Sequence, residues 1–123
     1  MKNYKTVGLI GLIILLISVK SLFPQSIENN ADFLSIKDLG NDTIKIYKLV
    51  LFAESIVDTI PIESRIVSEY GLKISKEINF PKGEALFYNL IGISYYNVSE
   101  PAYAMEYYLK ANAIYEPLMK ENI

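Results

Sequence analysis

The sequence has no cysteine, no histidine and no tryptophan among its 123 residues. The absence of cysteine excludes a disulfide framework, and the absence of both cysteine and histidine excludes thiolate and imidazole ligands for a metal ion. Catalytic triads that depend on either residue are excluded as well. The carboxylates form no acid–base pair distinct from ordinary solvated helix faces. We therefore expect a non-catalytic chain with no metal site and no cofactor.

Charge of either sign is sparse and well mixed. Twelve basic and 14 acidic residues give a net charge of −2. A nucleic-acid-binding surface needs clustered positive charge, so no nucleic-acid partner is expected. Gly8 and Gly11 lie inside an apolar run and do not begin a phosphate-binding loop, and no nucleotide-binding motif occurs elsewhere.

The N-terminus is a separate segment, residues 1–26. Lys2 and Lys5 precede an uncharged apolar run over residues 7–19, and a polar, proline-containing stretch follows. This order is typical of a secretory signal peptide, and the run is shorter than the about 20 apolar residues of a spanning helix. An alternative is an uncleaved anchor, which would associate with the membrane through residues 6–19. Both interpretations predict an exported chain, periplasmic or anchored in the inner membrane and facing the periplasm.

The remainder predicts an all-α fold. We expect a polar connector over 27–41 and helices near 43–57, 60–78, 84–98 and 100–115, because capping residues and prolines mark their starts. Apolar periodicity gives the core candidates of the first two helices: Ile44, Leu49, Phe52, Ala53, Ile56, Ile66, Val67, Tyr70, Leu72, Ile74 and Ile78.

Large and small side chains recur at regular spacings in the C-terminal half. The repeat-packing residues are Tyr88, Ile91, Gly92 and Tyr95 in one predicted helix, and Ala104, Tyr108 and Ala111 in the next. The small members allow two helix backbones to approach closely, and the large members fill the space around that contact. A shift of 40 residues places Thr59-Ile60-Pro61 under Ser99-Glu100-Pro101, with small residues under small ones, which indicates a weaker first copy.

This pattern resembles one tetratricopeptide unit, W-x2-L-G-x2-Y…A-x3-F…P. Tyr88 and Ile91 stand for the family's Trp and Leu, Tyr108 stands for its Phe, and Pro117 lies one residue beyond the usual proline. The resemblance implies stacked helical hairpins: a degenerate unit over 42–82 and a second over 83–118. Residues 119–123 would then be the truncated start of a further unit.

The stretch from Ile74 to Gly92 resembles tetratricopeptide arrays at the N-terminus of exported bacterial signalling proteins. The resemblance implies a scaffold for protein–protein interaction or signal sensing, with a protein or peptide partner or further repeat units. Two alternatives stay open: the input region of a sensor histidine kinase or transcriptional regulator, and a small membrane-anchored structural protein.

In such units the first helix of each hairpin lines the concave groove. Transferred by spacing, the candidate ligand-groove residues are Leu86, Asn89, Ile93, Tyr96 and Asn97. Packing of Tyr96 on a neighbouring unit is the alternative role for that residue. We also expect the last helix to expose an apolar stripe that a further unit would cover: Tyr103, Tyr107, Leu109, Ile114 and Leu118.

Overall fold

The structure, a computed structural model, describes residues 26–121 together with Gly8, Ile10 and Gly11. A 3-10 helix, Ile27–Asn29, precedes five α-helices: α1 (Ala31–Lys37), α2 (Thr43–Ile56), α3 (Pro61–Glu77), α4 (Pro81–Asn97) and α5 (Pro101–Glu121). Residues 26–121 contain no strand, so the all-α prediction is confirmed. None of the described helices is long and apolar enough to cross a membrane. The predicted signal or anchor segment lies almost wholly outside the described residues, and the predicted further unit lies partly outside them.

The last three helices begin at prolines spaced 20 residues apart, Pro61, Pro81 and Pro101. Proline suits the first turn of a helix, because its missing N–H has no partner there in any case and its φ is already helical. Each of α3 and α4 then runs for 17 residues before a short turn. The sequence therefore sets a regular step of one helix and one turn, which stacks successive helices in order.

The turns that follow α3 and α4 share one geometry. Asn79 and Ser99 adopt positive φ values of 54° and 63°. In both turns the next N–H bonds back five residues, from Phe80 to the Ser75 carbonyl at 2.8 Å and from Glu100 to the Tyr95 carbonyl at 2.9 Å. These are the 6→1 bonds of the Schellman motif, which satisfies carbonyls that the helix end leaves without partners. The short turns make consecutive helices antiparallel neighbours.

Small residues on α3 bring its two neighbouring helices close. Ser64, Ser68, Gly71 and Ser75 follow a spacing of three to four residues and are all buried. The Ser64 hydroxyl donates a 2.8 Å hydrogen bond to the carbonyl of Ala53 on α2. On another part of the stripe, a Cβ atom at Gly71 would lie only 2.1 Å from Cζ of Phe87 on α4. α3 is thus the central helix, with α2 and α4 packed against it.

The predicted connector 27–41 is largely helical and contributes to the core. Ile27 and Phe33 are buried, and the Phe33 ring lies 6.0 Å from Phe52 and 5.9 Å from Tyr70 between centroids. Asn30 caps α1 by accepting hydrogen bonds from the N–H groups of residues 32 and 33. The short amphipathic turn that the sequence suggests is therefore a capped helix that covers the outer side of α2.

A buried lysine fixes this segment. The Lys45 ammonium donates to the Lys37 carbonyl at 2.7 Å, the Leu39 carbonyl at 3.1 Å and Oδ1 of Asn41 at 3.1 Å. Its nitrogen also lies 5.3 Å from the centroid of the Tyr70 ring. A buried charge is tolerated only when such partners replace its hydration. The ammonium therefore connects the C-terminal end of α1 to α2.

The main core cluster contains ten buried side chains: Ile27, Phe33, Ile46, Leu49, Val50, Ala53, Val67, Ile74, Phe87 and Leu90. Two of the predicted core residues are wrong. Ile44 is 63% exposed and Ile66 is also exposed, because both point away from the neighbouring helices that cover Ile46 and Val67. The other predicted core positions are buried or partly buried against the cluster.

Helix ends differ most from prediction around α4 and α5. α4 begins at Pro81 rather than residue 84, because the left-handed conformation at Asn79 completes the turn before the proline. Gly83 is then helical and buried against Phe80, Ser75 and Ile46. α5 continues to Glu121 rather than ending near 115, and Pro117 lies inside it. The predicted boundary at residue 83 therefore falls within the first turn of α4.

Candidate functional site

The exposed sides of α2 and α4 lie next to each other. Both helices pack on α3, so their sides that face away from α3 are on the same side of the molecule. The two helices are connected near both ends: Tyr47 meets Phe80 edge-on with centroids 5.8 Å apart, and Asn97 donates to the Val57 carbonyl at 2.9 Å. We call this surface the α2–α4 face.

The five predicted groove residues occupy one side of α4. Leu86 and Ile93 are partly buried and pack against the core, whereas Asn89 is exposed and Tyr96 is 66% exposed. Asn97 also contacts Oδ1 of Asp58 at 3.1 Å, so its amide serves to join α4 to the end of α2. The face thus offers apolar walls, one aromatic ring and one open amide.

Exposed apolar residues of α2 complete the face. Ile44, Tyr47 and Leu51 follow helical spacing along the outer side of α2, and Leu51 is 66% exposed. Sequence reasoning assigned Ile44 to the core and did not select Tyr47 or Leu51. The available signal was the spacing of these residues, which is offset by about half a helical turn from the buried set Ile46, Leu49 and Ala53.

The predicted repeat-packing residues meet between α4 and α5. Ile91, Gly92, Ala104 and Ala111 are buried, and Tyr108 is partly buried. A Cβ atom at Gly92 would lie 2.6 Å from Cε1 of Tyr108 and 3.2 Å from the Ala104 carbonyl oxygen. The structure therefore brings Gly92, Ala104 and Tyr108 together at the crossing of the two helices.

The other two members, Tyr88 and Tyr95, form an aromatic ladder with α5. Tyr95 stacks on Tyr103 with centroids 5.2 Å apart and on Tyr107 at 5.5 Å, and Tyr88 lies 6.2 Å from Tyr107. Tyr103 and Tyr107, which we expected on an open stripe, thus contact α4. Tyr103 remains about half exposed and Tyr107 is partly buried.

Three cations flank the ladder. The Arg65 guanidinium lies 4.1 Å from the Tyr95 centroid, the Lys76 ammonium 5.5 Å from Tyr88, and the Lys110 ammonium 4.6 Å from Tyr107. Ring faces attract cations electrostatically at such distances. The Nη1 atom of Arg65 is buried with no hydrogen-bond partner within the described part of the chain, so the ring of Tyr95 is its main compensation. The sequence gave no signal for this arrangement, because α3 supplies cations to rings on another helix.

The phenols of α5 are poor acids. Burial raises the pKa of Tyr107, and nearby Tyr95 adds to the rise while Lys110 opposes it. Burial also raises the pKa of Tyr108, with a further contribution from Tyr96, and burial raises the pKa of Tyr115. The hydrogen bond from Glu106 raises the pKa of Lys110. These phenols stay protonated near neutral pH and can donate hydrogen bonds to a ligand.

Carboxylates do not converge in the described residues. Within residues 26–121 no group of three acidic side chains is arranged to hold a metal ion. The two ion pairs of that range, Glu106–Lys110 and Glu116–Lys120, are exposed pairs on the surface of α5. What these residues offer a partner is apolar and aromatic surface with neutral hydrogen-bonding groups.

Comparison with known proteins finds no matching family model, and no match among curated proteins or among solved structures. The tetratricopeptide resemblance therefore stays a prediction based on the residues of this chain.

Proposed function

We propose that this chain is an extracytoplasmic helical-repeat module that binds an extended segment of a partner protein on the α2–α4 face, without catalysis of its own. The observation that carries the proposal is the exposure of Leu51 and Tyr96 beside the half-buried Leu86 and Ile93. Large aromatic and aliphatic side chains with partly buried neighbours are typical of the centre of protein interfaces.

We further infer that the two hairpins are tetratricopeptide-like units. At the α2–α3 crossing Ser64 contacts the carbonyl of Ala53, and at the α4–α5 crossing Gly92 lies beside the carbonyl of Ala104. Ser64 and Ala104 are 40 residues apart in the sequence. Equivalent small residues at equivalent crossings support an internal repeat, and the regular proline spacing supports it independently.

The chemistry of the face favours an extended peptide with apolar side chains. Asn89 supplies both a donor and an acceptor, which is what a peptide backbone unit requires of a partner. Tyr96 and Tyr47 offer rigid rings with polar tips, so they bind apolar side chains at a low cost in conformational entropy. The same face would serve as the sensing surface if the chain acts as the input of a longer signalling protein.

Selection of a random peptide library on the full chain tests this proposal. We expect enriched peptides to bind the unaltered chain and to lose at least tenfold in affinity with Tyr96→Ser or Leu51→Ser. The matched control is Ile62→Ser, which removes an exposed apolar side chain from α3. Enriched peptides that bind all three variants equally would place the binding surface elsewhere, and failure to enrich any peptide would refute peptide binding.

A further inference from the structure

The outer side of α5 is open, whereas the equivalent side of α3 is covered. Six positions of α3 are buried between its two neighbours: Ser64, Val67, Ser68, Gly71, Ile74 and Ser75. Forty residues later on α5, only Ala104 and Ala111 are buried, and the other four equivalents are partly exposed. Large apolar residues also project outward, with Met105 59%, Leu109 61% and Met119 70% exposed. The predicted stripe thus retains Leu109 and gains two methionines.

The opposite end of the helical stack is closed. Ile27 and Phe33 cover the outer side of the first hairpin, and the Lys45 ammonium holds the end of α1 in place. A head-to-tail contact between copies would need an open apolar surface at both ends of the stack. With one open end, association of like chains is limited to a contact between two identical surfaces, which closes as a two-fold dimer.

The charges on α5 favour an antiparallel contact. Glu106 and Lys120 lie seven residues before and seven residues after Ala113, and all three positions are exposed. A two-fold axis beside Ala113 places Glu106 of each copy opposite Lys120 of the other and brings Met105 near Met119. Parallel pairing would instead place Glu106 against Glu106. Because alanine is small, the backbones can approach closely at the axis.

We propose that the outer side of α5 is a homodimer interface in which two copies pair antiparallel about a two-fold axis beside Ala113. The surface is distinct from the α2–α4 face, so the dimer does not rest on peptide binding. It covers Leu109 and the two methionines, which are otherwise exposed. It also gives the four charges at positions 106 and 120 opposite-sign partners across the contact.

Disulfide formation tests the axis directly, because the chain has no cysteine of its own. The variant Ala113→Cys carries its thiol at the axis, where the Cα atoms of two copies would come within the about 4.4–6.8 Å that a disulfide spans. We expect mild oxidation of the full chain to give a dimer of twice the 14.0 kDa chain mass. The matched control is Ala31→Cys, an exposed alanine on α1, which should remain monomeric. Equal cross-linking of the two variants, or none of either, would overturn the proposal.

Charge reversal tests the antiparallel register. Glu106→Lys and Lys120→Glu should each reduce the Ala113→Cys cross-link at least fivefold, because each places like charges opposite one another. The double reversal should restore the cross-link, although it breaks both intrahelical Glu–Lys pairs of α5. Restoration therefore reports contact between copies rather than the stability of α5. A double variant that cross-links no better than the single ones would refute this register.

Discussion

Replacing Gly71 by alanine should destabilise the fold far more than replacing Gly92, although both lie inside helices. A Cβ at position 71 would lie 2.1 Å from Cζ and 2.5 Å from both Cε atoms of Phe87, whose ring is fully buried. At position 92 it would meet the Tyr108 ring at 2.6 Å, but that ring is only partly buried and has room to move. The outcome depends on which ring can yield.

The magnitudes follow from two opposing effects. Alanine gains about 0.8–1.0 kcal/mol over glycine in a helix interior at either site. Overpacking a well-filled core costs about 1–3 kcal/mol, and the fixed ring of Phe87 places Gly71→Ala near the upper end. We expect a net loss of about 1–2 kcal/mol for Gly71→Ala and a change within about 0.5 kcal/mol for Gly92→Ala.

Thermal unfolding followed by circular dichroism measures the difference. Gly71→Ala should lower the Tm by about 5–15 °C, since about 1 kcal/mol corresponds to 4–8 °C in a domain of this size. The effect of alanine on the unfolded chain is common to both variants, so it cancels in their comparison. Adding Phe87→Leu should recover at least about 1 kcal/mol, because the two sites are in contact. Equal stabilities of the two alanine variants would show that the α3–α4 contact is not as described.

Three further predictions concern other parts of the chain. Lys45→Met leaves three buried acceptors without a donor, so it should cost about 1–3 kcal/mol and raise the hydrogen-exchange rates of α1, and unchanged exchange would contradict the role of the ammonium. Asn97→Ala should cost about 1 kcal/mol in urea unfolding, whereas Asn89→Ala should leave stability unchanged and weaken peptide binding. If the N-terminal segment is an export signal, mass spectrometry should find a mature N-terminus between Ser21 and Ile27, because later cleavage would remove a core residue, and a chain that keeps its first methionine would contradict this.

The crossing of α4 and α5 was accessible from the sequence because it depends on local spacing. Gly92, Ala104 and Ala111 recur at intervals that only helices bring onto one face, and the large residues between them mark the space to be filled. Helix starts were accessible for the same reason, since Pro61 and Pro101 follow short capping segments. Such signals lie within one or two turns of the residues they position.

Contacts between segments distant in the sequence were not accessible. Lys45 lies in register with Leu49 and Ala53 on the buried side of α2, but its charge argued for solvent. The carbonyls that receive its hydrogen bonds are presented by the end of α1, whose position no local pattern reveals. The pairing of Gly71 with Phe87 was missed likewise, because the glycine and the ring belong to different helices and different predicted units.

The two proposed surfaces reinforce one another. The dimer residues of α5 project opposite Ala104 and Ala111, which face α4, so pairing leaves the α2–α4 faces of both copies open. A dimer then presents two equal sites, and a partner with two binding segments gains affinity through effective concentration rather than through any new contact. Glu106→Lys should therefore weaken binding of a tandem peptide by at least tenfold while leaving the affinity for the single peptide unchanged. Tyr96→Ser should weaken both, and a tandem peptide that binds no better than a single one to the unaltered chain would separate the two surfaces.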